Sequence, residues 1–360
     1  MSRTKAAARK NGVPKGKRRF EPEHGGDQLE ANPRATPNQS PDHPVVAAAD
    51  QANSGERPAK KARHMSSQAR LPQRRLRRVN AAVSMSTSGE PAIFISGGGP
   101  GIGKGFVTAY AKLIQSEPPA PLTKASRIYV LDMNGKLSST ELYKLYNLGS
   151  DDQDWIDSHI IPLECNIKDT PTLERLISTI PDDIALVIHS AGVRGLVSHA
   201  PIEQYSDVAK AEDLEIMNVK TMQETFEINT MGTFFTLRAL LPHLKSQNNG
   251  SDSDASPPKV VVMGSRMGSI GHNTLQGGAY AYRASKAALN AIVKSLSVDV
   301  PEVIWTIVHP GRIESGLVPI KEDDAMPIEQ AVAELLPLID RLGKGDSGSF
   351  LDRFGQDIVW

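Results

Sequence analysis

The chain has 360 residues and no net charge, with 41 basic and 41 acidic side chains, and 39% of its residues are hydrophobic. This apolar content suffices for a full core, and the lack of an uninterrupted apolar run of about 18 residues argues against a membrane-spanning helix. The single cysteine, Cys165, excludes an intramolecular disulfide and is typical of a reducing compartment, so we predict a cytoplasmic protein.

The first 90 residues differ in composition from the rest. They contain 18 basic and 8 acidic residues, which leaves 23 basic and 33 acidic residues for positions 91–360. Because few of them are aromatic or β-branched, they cannot bury enough apolar surface to offset the entropy of ordering, and we predict a disordered basic tail. Basic clusters at 15–19 and 60–63 leave a nuclear location open, and five arginines without an acid at 65–88 leave a mitochondrial one open. Residues 1–84 could also be upstream of a true start at Met85.

From position 91 onward, short apolar segments alternate with longer amphipathic ones. The apolar segments predict strands at 92–96, 128–132, 160–165, 185–190, 260–265 and 304–309, with a seventh near Phe350. The amphipathic segments predict helices, among them 106–113, 221–244 and 285–298. Strands that are apolar throughout are typical of a parallel sheet covered on both faces. We therefore predict one α/β domain at 91–360, a Rossmann-type doubly wound sheet of about seven strands, with loops at 115–126 and 246–258.

A glycine-rich segment at 96–103 follows the first predicted strand. A strand, then glycines, then a helix is the order in which backbone N–H groups and a helix N-terminus face a pyrophosphate. The spacing of Gly97, Gly101 and Gly103 is G-x-x-x-G-x-G rather than G-x-G-x-x-G. A tight turn without a ligand is the alternative, but the position after the first strand favours a phosphate site.

The second predicted strand ends at an acid, Asp132. A carboxylate at this point can accept hydrogen bonds from the adenosine ribose hydroxyls, and it repels a 2′-phosphate. The sequence therefore favours NAD(H) as the cofactor. NADP(H) is the alternative cofactor, because the positively charged Lys104 lies close to the glycines.

Tyr282 and Lys286 lie four residues apart at the start of a predicted helix, and this spacing places both on one helix face. A neighbouring cation lowers the pKa of a tyrosine hydroxyl from about 10 toward working pH, which makes Tyr282 a candidate general acid and base. Tyr280 has no lysine at this spacing. Ser265, which we place at the end of the fifth predicted strand, is the candidate to hydrogen-bond a carbonyl oxygen, and Ser269 is its rival.

Taken in chain order, these segments resemble the short-chain dehydrogenase/reductase family. The matching segments are the glycine spacing, His189-Ser190-Ala191-Gly192, Asn229-Thr230-Met231-Gly232, Gly264-Ser265, Tyr282 with Lys286, and Pro310-Gly311. The stretches 268–283 and 347–352 resemble the C-factor and Sniffer-like carbonyl reductase branch of that family. The serine-to-tyrosine segment is longer in this branch, which favours Ser265 over Ser269.

The resemblance implies roles for individual residues. Tyr282 would be the acid/base, Lys286 would hold the nicotinamide ribose and lower the tyrosine pKa, Ser265 would orient the carbonyl, and Asn229 would hold a water in a proton relay. With Tyr282 and Lys286, the implied cofactor-binding residues are Gly97, Gly101, Ile102, Gly103, Asp132, Asn166, Ser190, Ala191, Gly192, Pro310, Gly311, Ile313 and Ser315.

Three positions depart from the family pattern. Asn166 replaces an aspartate that touches adenine, His189-Ser190 replace two asparagines, and Ser315 replaces a threonine. Each of the new side chains can still form hydrogen bonds. We therefore expect changed affinity rather than lost function.

We predict an NAD(P)-dependent oxidoreductase that transfers a hydride between a nicotinamide cofactor and a carbonyl or alcohol substrate. A catalytically silent dinucleotide-binding scaffold or regulatory protein is the alternative, and the convergence of four polar side chains argues against it. The expected partners are a small-molecule substrate and further copies of the chain in a homo-oligomer. We expect no metal site and neither nucleic acid nor membrane as a partner. Arg194, Arg266 and Arg312 leave an anionic substrate open.

Overall fold

A computed structural model of the chain describes residues 91–116, 127–133, 144, 146, 148, 153–198, 208–245, 256–274, 277–320 and 322–360. The predicted tail at 1–90 and most of the two predicted loops, at 115–126 and 246–258, lie outside the described residues. Within the described ranges, no helix combines the length and the apolar character that a membrane span requires.

Seven strands alternate with helices in the described part of the chain. The strands are β1 (Ala92–Ser96), β2 (Arg127–Asp132), β3 (Ile160–Glu164), β4 (Ile184–His189), β5 (Lys259–Met263), β6 (Ile304–His309) and β7 (Ser349–Asp352). The α-helices are α1 (Ile102–Gln115), α2 (Gln153–His159), α3 (Thr170–Ile177), α4 (Val219–Phe226), α5 (Thr233–Lys245), α6 (Tyr280–Asp299) and α7 (Ile328–Arg341). A π-helix (Glu227–Gly232) joins α4 to α5, and the described residues include 3-10 turns at Lys210–Glu212, Arg266–Gly268 and Lys344–Asp346.

The strands form one sheet in the order β3-β2-β1-β4-β5-β6-β7, and every neighbouring pair is parallel. This confirms the predicted doubly wound sheet. The strand order reverses between β1 and β4. Doubly wound folds bind their ligands in the crevice at the carboxyl ends of the strands at such a point.

Side chains on successive strand positions enter two separate cores. Phe94 packs on the face covered by α3, α5 and α6, whereas Ile93 and Ile95 pack on the face covered by α1, α2 and α7. All three side chains are fully buried, and burial of such a side chain contributes roughly 1.5–3 kcal/mol. Burial on both faces explains why the strands are apolar throughout rather than alternating.

Several predicted boundaries differ in the structure, and three differences concern residues of the predicted site. The strand predicted to end at Ser265 ends at Met263, and Ser265 instead caps a 3-10 turn because its Oγ accepts the Met267 N–H at 3.2 Å. The helix predicted at 285–298 begins at Tyr280. The continuous helix predicted at 221–244 contains the π-helix, which hydrophobic periodicity cannot reveal.

Candidate active site

A cavity of about 690 Å³ opens at the carboxyl ends of the strands, a volume within the usual range of small-molecule and cofactor sites. The predicted site residues that line it are Gly97, Gly101, Ile102, Gly103, Ser190, Gly192, Ser265, Tyr282, Lys286, Pro310, Gly311, Ile313 and Ser315. Four predicted residues are not among its lining residues: Asp132, Asn166, Ala191 and Asn229.

The glycine segment between β1 and α1 is packed closely against the loop that follows β4. Gly97 has a φ of 69°, and a Cβ on it would lie 2.6 Å from the backbone nitrogen of Ala191. A Cβ on Gly103 would lie 2.1 Å from the Gly97 carbonyl oxygen and 2.6 Å from the Ser190 Oγ. These contacts leave room for hydrogen atoms only, which explains the glycines at both positions.

The N-terminus of α1 borders the cavity. Its N-cap residue, Gly101, provides no side-chain hydrogen bond, and the first turn contains no acidic residue. The backbone N–H groups of this turn therefore keep their capacity for an anion, which the helix dipole also favours.

Asp132 lies at the end of β2, beside the glycine segment. Its Oδ2 accepts the backbone N–H of Gly99 at 2.9 Å, and a Cβ on Gly99 would lie 2.7 Å from the same oxygen. Tyr146 donates its hydroxyl to the Gly98 carbonyl at 3.0 Å. No motif surrounds this tyrosine, so it could not be predicted as part of the site. The carboxylate of Asp132 is thus held against the predicted phosphate loop.

Asn166 lies just beyond the end of β3. Its side chain is exposed, and its Oδ1 accepts the backbone N–H of Lys168 at 3.0 Å. Asn166 therefore stabilises the turn after β3 in this structure.

Tyr282 and Lys286 lie on the first two turns of α6, and both face the cavity. Tyr282 is 6% exposed and Lys286 is 5% exposed, whereas Tyr280 is 38% exposed. The Lys286 Nζ lies 5.8 Å from the centroid of the Tyr282 ring and donates to the Met263 carbonyl at 2.9 Å. The end of β5 thus fixes the lysine beside the buried tyrosine.

The electrostatic surroundings of Tyr282 differ from the sequence-based expectation. Burial raises the pKa of Tyr282, and the Arg194 guanidinium and a hydrogen bond with Ser265 offset only part of this increase. Burial also lowers the pKa of Lys286, to about 8. Arg194 is thus the first of the groups that lower the pKa of this hydroxyl, and the lowering by Lys286 stays a prediction.

The depressed pKa of Lys286 predicts a pH-dependent stability. Below about pH 8 the lysine is charged in both states, so the folded protein bears the full cost of burying an ammonium. Between about pH 8 and pH 10.5 this lysine is protonated in the unfolded chain only. The free energy of unfolding of the wild type, relative to that of Lys286→Met, should therefore rise with pH, by at most about 3 kcal/mol. Urea unfolding of both proteins from pH 7 to pH 10.5 measures this difference.

Lys344→Met, at an exposed position, is the matched control and should show no such trend. A difference between the wild type and Lys286→Met that stays constant over this pH range would contradict the prediction.

Asn229 lies in the π-helix and is fully buried. Its Oδ1 accepts the backbone N–H of Val193 at 2.8 Å, and its Nδ2 donates to the Val193 carbonyl at 2.9 Å and to the Ser285 Oγ at 3.0 Å. The backbone carbonyl of Asn229 accepts the Thr233 hydroxyl at 2.8 Å. Asn229 therefore ties the loop after β4 to α6, and its side chain does not line the cavity.

His189, at the end of β4, uses both ring nitrogens. Its Nδ1 lies 2.7 Å from the Ser96 Oγ, and its Nε2 lies 2.8 Å from the Thr233 Oγ1. Because Thr233 donates its proton to Asn229, Nε2–H must be the donor and Nδ1 the acceptor. Burial, with a smaller contribution from Lys286, lowers the pKa of His189 to about 3. Here a neutral histidine links β1 to β4.

The two candidate serines have different surroundings. Ser265 lines the cavity and lies close enough to Tyr282 to lower the pKa of its hydroxyl. Ser269 donates its hydroxyl to the Val359 carbonyl and is not among the lining residues. The geometry thus brings Ser265, and not Ser269, to the tyrosine.

The three arginines that the sequence placed near the pocket all line it. Arg266 and Arg312 are exposed, whereas Arg194 is largely buried and forms an ion pair with Glu212.

His309 also lines the cavity, and its buried Nδ1 has no hydrogen-bond partner among the described residues. Burial is the largest of the effects that lower the pKa of His309, to about 4. In the described ranges, no group of three or more His, Cys, Asp or Glu side chains could hold a metal ion.

Comparison with known proteins gives two results at the level of sequence. A model of the short chain dehydrogenase family matches residues 145–325, which is half of the chain. C-signal from Myxococcus xanthus is 35% identical over 186 residues, which cover 51% of this chain and 96% of that protein.

Solved structures with the same fold include two carbonyl reductases. The carbonyl reductase Sniffer of Drosophila melanogaster has a TM-score of 0.57 at 24% identity, covering 76% of this chain and 100% of that one. The NADPH-bound carbonyl reductase from chicken fatty liver has a TM-score of 0.59 at 22% identity, covering 75% of this chain and 98% of that one. At these identities the likeness concerns the fold alone.

Proposed function

This chain belongs to the short-chain dehydrogenase family and is an NAD(P)-dependent oxidoreductase, and on that premise we propose that Tyr282 is the general acid and base of its reaction. The observation that carries this proposal is that Tyr282, Ser265 and Lys286 line one cavity, with the Lys286 Nζ 5.8 Å from the centroid of the Tyr282 ring. The substrate is a small carbonyl or alcohol compound, and we propose reduction of an aldehyde or ketone as the working direction. The alternative of a silent scaffold is not favoured.

The residues of the cavity suit a dinucleotide. The first turn of α1 presents backbone N–H groups to a pyrophosphate, and Gly97 and Gly103 allow the glycine segment to pack closely beneath that turn. Lys286 and Ser190 line the neighbouring part of the wall. When bound, the nicotinamide supplies or accepts the hydride.

The proton of the reaction is assigned to the side chains of this chain. In reduction, the Tyr282 hydroxyl donates its proton to the carbonyl oxygen and becomes a phenolate. Ser265 donates a hydrogen bond to the same oxygen and shares its developing charge. Burial disfavours the phenolate, so the Arg194 guanidinium offsets part of the cost of forming it. In oxidation the proton moves in the opposite direction.

The proposal is tested by cofactor oxidation with the full chain. Aldehydes, ketones and quinones are presented with NADH and with NADPH separately, and absorbance of the reduced nicotinamide is followed. Turnover of at least one carbonyl class, reduced at least about a hundredfold in Tyr282→Phe, is the expected result. Tight dinucleotide binding without turnover of any compound would favour the scaffold alternative.

We propose NAD(H) as the preferred cofactor because Asp132 is held at the glycine segment. A carboxylate there accepts hydrogen bonds from free ribose hydroxyls and repels a 2′-phosphate. The chicken carbonyl reductase holds NADPH, but its 22% identity carries no cofactor preference to this chain. Lys104, in the first turn of α1, is the cation that would favour NADP(H).

Asp132→Ala should narrow the preference for NADH over NADPH by about tenfold, since the repulsion of a phosphate is removed. The ratio of kcat/KM values with the two cofactors measures this change. Asp157→Ala, on the exposed surface of α2, is the control and should leave the ratio unchanged. Higher efficiency with NADPH in the unmodified protein would contradict the proposal.

We also propose that residues 91–360 form the catalytic domain, that the chain assembles into a homo-oligomer, and that it works in the cytoplasm. Exposed apolar side chains at the ends of α4 and α6, Val219 and Val298, support assembly through these helices. The buried, high-pKa thiol of Cys165 is compatible with a reducing compartment. Light scattering coupled to size-exclusion chromatography tests the oligomeric state.

A further inference from the structure

Arg194 lies in the loop after β4 and contacts the ring of Tyr282. Its guanidinium carbon is 4.9 Å from the ring centroid, which is within the range of a cation–π contact. The same guanidinium forms a two-point ion pair with Glu212, with Nε–Oε2 and Nη2–Oε1 distances of 2.8 Å each. The two side chains are 14% and 7% exposed. The tyrosine is therefore packed against a charged pair rather than against an apolar wall.

The backbone around the ion pair is fixed at three points. Asn229 holds Val193, the neighbour of Arg194, through both backbone groups. Gly195 follows with a φ of 76°, and a Cβ on it would lie 2.6 Å from the Thr225 Oγ1. The carbonyl of Glu212 accepts the N–H of Ala279, the residue that precedes α6, at 2.8 Å. The pair thus links the loop after β4 to the start of the helix that carries Tyr282.

We propose that the Arg194–Glu212 ion pair is a positioning element for proton transfer, in which Arg194 stabilises the phenolate of Tyr282 and Glu212 orients Arg194 while partly opposing its electrostatic effect on Tyr282. This inference rests on the proposed role of Tyr282.

A purely structural role would not explain the placement of these charges. Removal of two charges from water is costly, and a buried ion pair is often no more stabilising than an apolar pair of the same size. The pair instead lies where charge would develop on Tyr282. A cation at this distance favours the charged form of a neighbouring acid, and a carboxylate disfavours it.

The other charged groups near Tyr282 do not duplicate this arrangement. Glu322 raises the pKa of Tyr282, as Glu212 does. Lys286, on the same helix, donates to the Met263 carbonyl. Arg266, Arg283 and His272 also line the cavity. Of the two cations over the ring, Arg194 lies nearer the centroid, at 4.9 Å against 5.8 Å for the Lys286 Nζ, and Arg194 lowers the pKa of Tyr282.

The test uses two variants with opposite expected effects. In the direction of alcohol oxidation, kcat rises with pH as the tyrosine loses its proton. Arg194→Met should move the midpoint of this rise upward by about one pH unit, and Glu212→Gln should move it downward by roughly half a unit. Arg194→Lys keeps the charge without the two-point geometry and should fall between the wild type and Arg194→Met.

Arg238→Met is the matched control. Arg238 also lies over an aromatic ring, 4.7 Å from the centroid of Phe235, and it also pairs with a glutamate, Glu174, at 2.6 Å. This pair is on the surface and outside the cavity, so the midpoint should not move. Shifts of Arg194→Met and Glu212→Gln in the same direction, or no shift in either, would overturn the proposal.

A titration that does not need catalysis separates this inference from the proposed function. The chain has seven tyrosines, and labelling their ring carbons with 13C allows the Tyr282 signal to be assigned as the one lost in Tyr282→Phe. The titration midpoint of this signal should move upward in Arg194→Met and downward in Glu212→Gln, as in the kinetic experiment. If Arg194→Met does not fold, Glu212→Gln decides alone: a lower midpoint supports the proposal and an unchanged one overturns it.

Discussion

Tyr282→Phe is expected to reduce hydride transfer by at least about a hundredfold, because positioned general acids contribute about 10²- to 10⁴-fold. Phenylalanine keeps the ring in the buried position beside Arg194 and removes only the hydroxyl. Cofactor affinity should therefore stay within about twofold, since no packing is lost. Steady-state kinetics and a fluorescence titration with the reduced dinucleotide measure the two quantities.

Tyr280→Phe is the control for this experiment. Tyr280 is two residues earlier on α6 and is 38% exposed, so its hydroxyl should have little effect on kcat. Retention of most activity by Tyr282→Phe, or loss of activity in Tyr280→Phe instead, would show that the wrong tyrosine has been assigned.

Gly103→Ala is expected to weaken dinucleotide binding by at least about tenfold and to lower the melting temperature, because overpacking of this kind costs typically 1–3 kcal/mol. The added Cβ would lie 2.1 Å from a backbone oxygen, that of Gly97, which cannot rotate away as a side chain can. The glycine segment must therefore move relative to the helix N-terminus. Calorimetric titration with NADH and thermal unfolding measure the two effects.

Gly345→Ala is the matched control, since a Cβ at Gly345 has no heavy atom within 4 Å. It should leave both the affinity and the melting temperature unchanged. Unchanged NADH affinity in Gly103→Ala would mean that the glycine segment is not part of the dinucleotide site.

The sheet and two parts of the site could be predicted because each has a local pattern. Strands buried on both faces are apolar throughout. The apolar segments of the sequence therefore located all seven strands to within about two residues. The glycine segment follows a strand directly, and the Tyr282–Lys286 pair has helical spacing, so neither depends on distant parts of the chain.

The electrostatics of the site could not be predicted because they depend on contacts between distant residues. Arg194 and Glu212 are 18 positions apart and meet only through folded loops, so Arg194 could not be distinguished in the sequence from an exposed arginine. Burial determines the direction of the Tyr282 pKa, and spacing carries no information on burial. Asn229 lies in a π-helix, where helical periodicity does not apply.

The histidine that links β1 to β4 gives the fold an acid limit. Folded His189 and His309 stay neutral down to about pH 3 and pH 4, whereas in an unfolded chain both would bind a proton near pH 6.5. Unfolding in acid therefore takes up two protons, and stability falls by up to about 1.4 kcal/mol per imidazole for each pH unit between pH 6.5 and pH 4. Because the net stability of most domains is about 5–15 kcal/mol, this loss makes the folded protein sensitive to acid, whereas neutral or mildly alkaline surroundings preserve it.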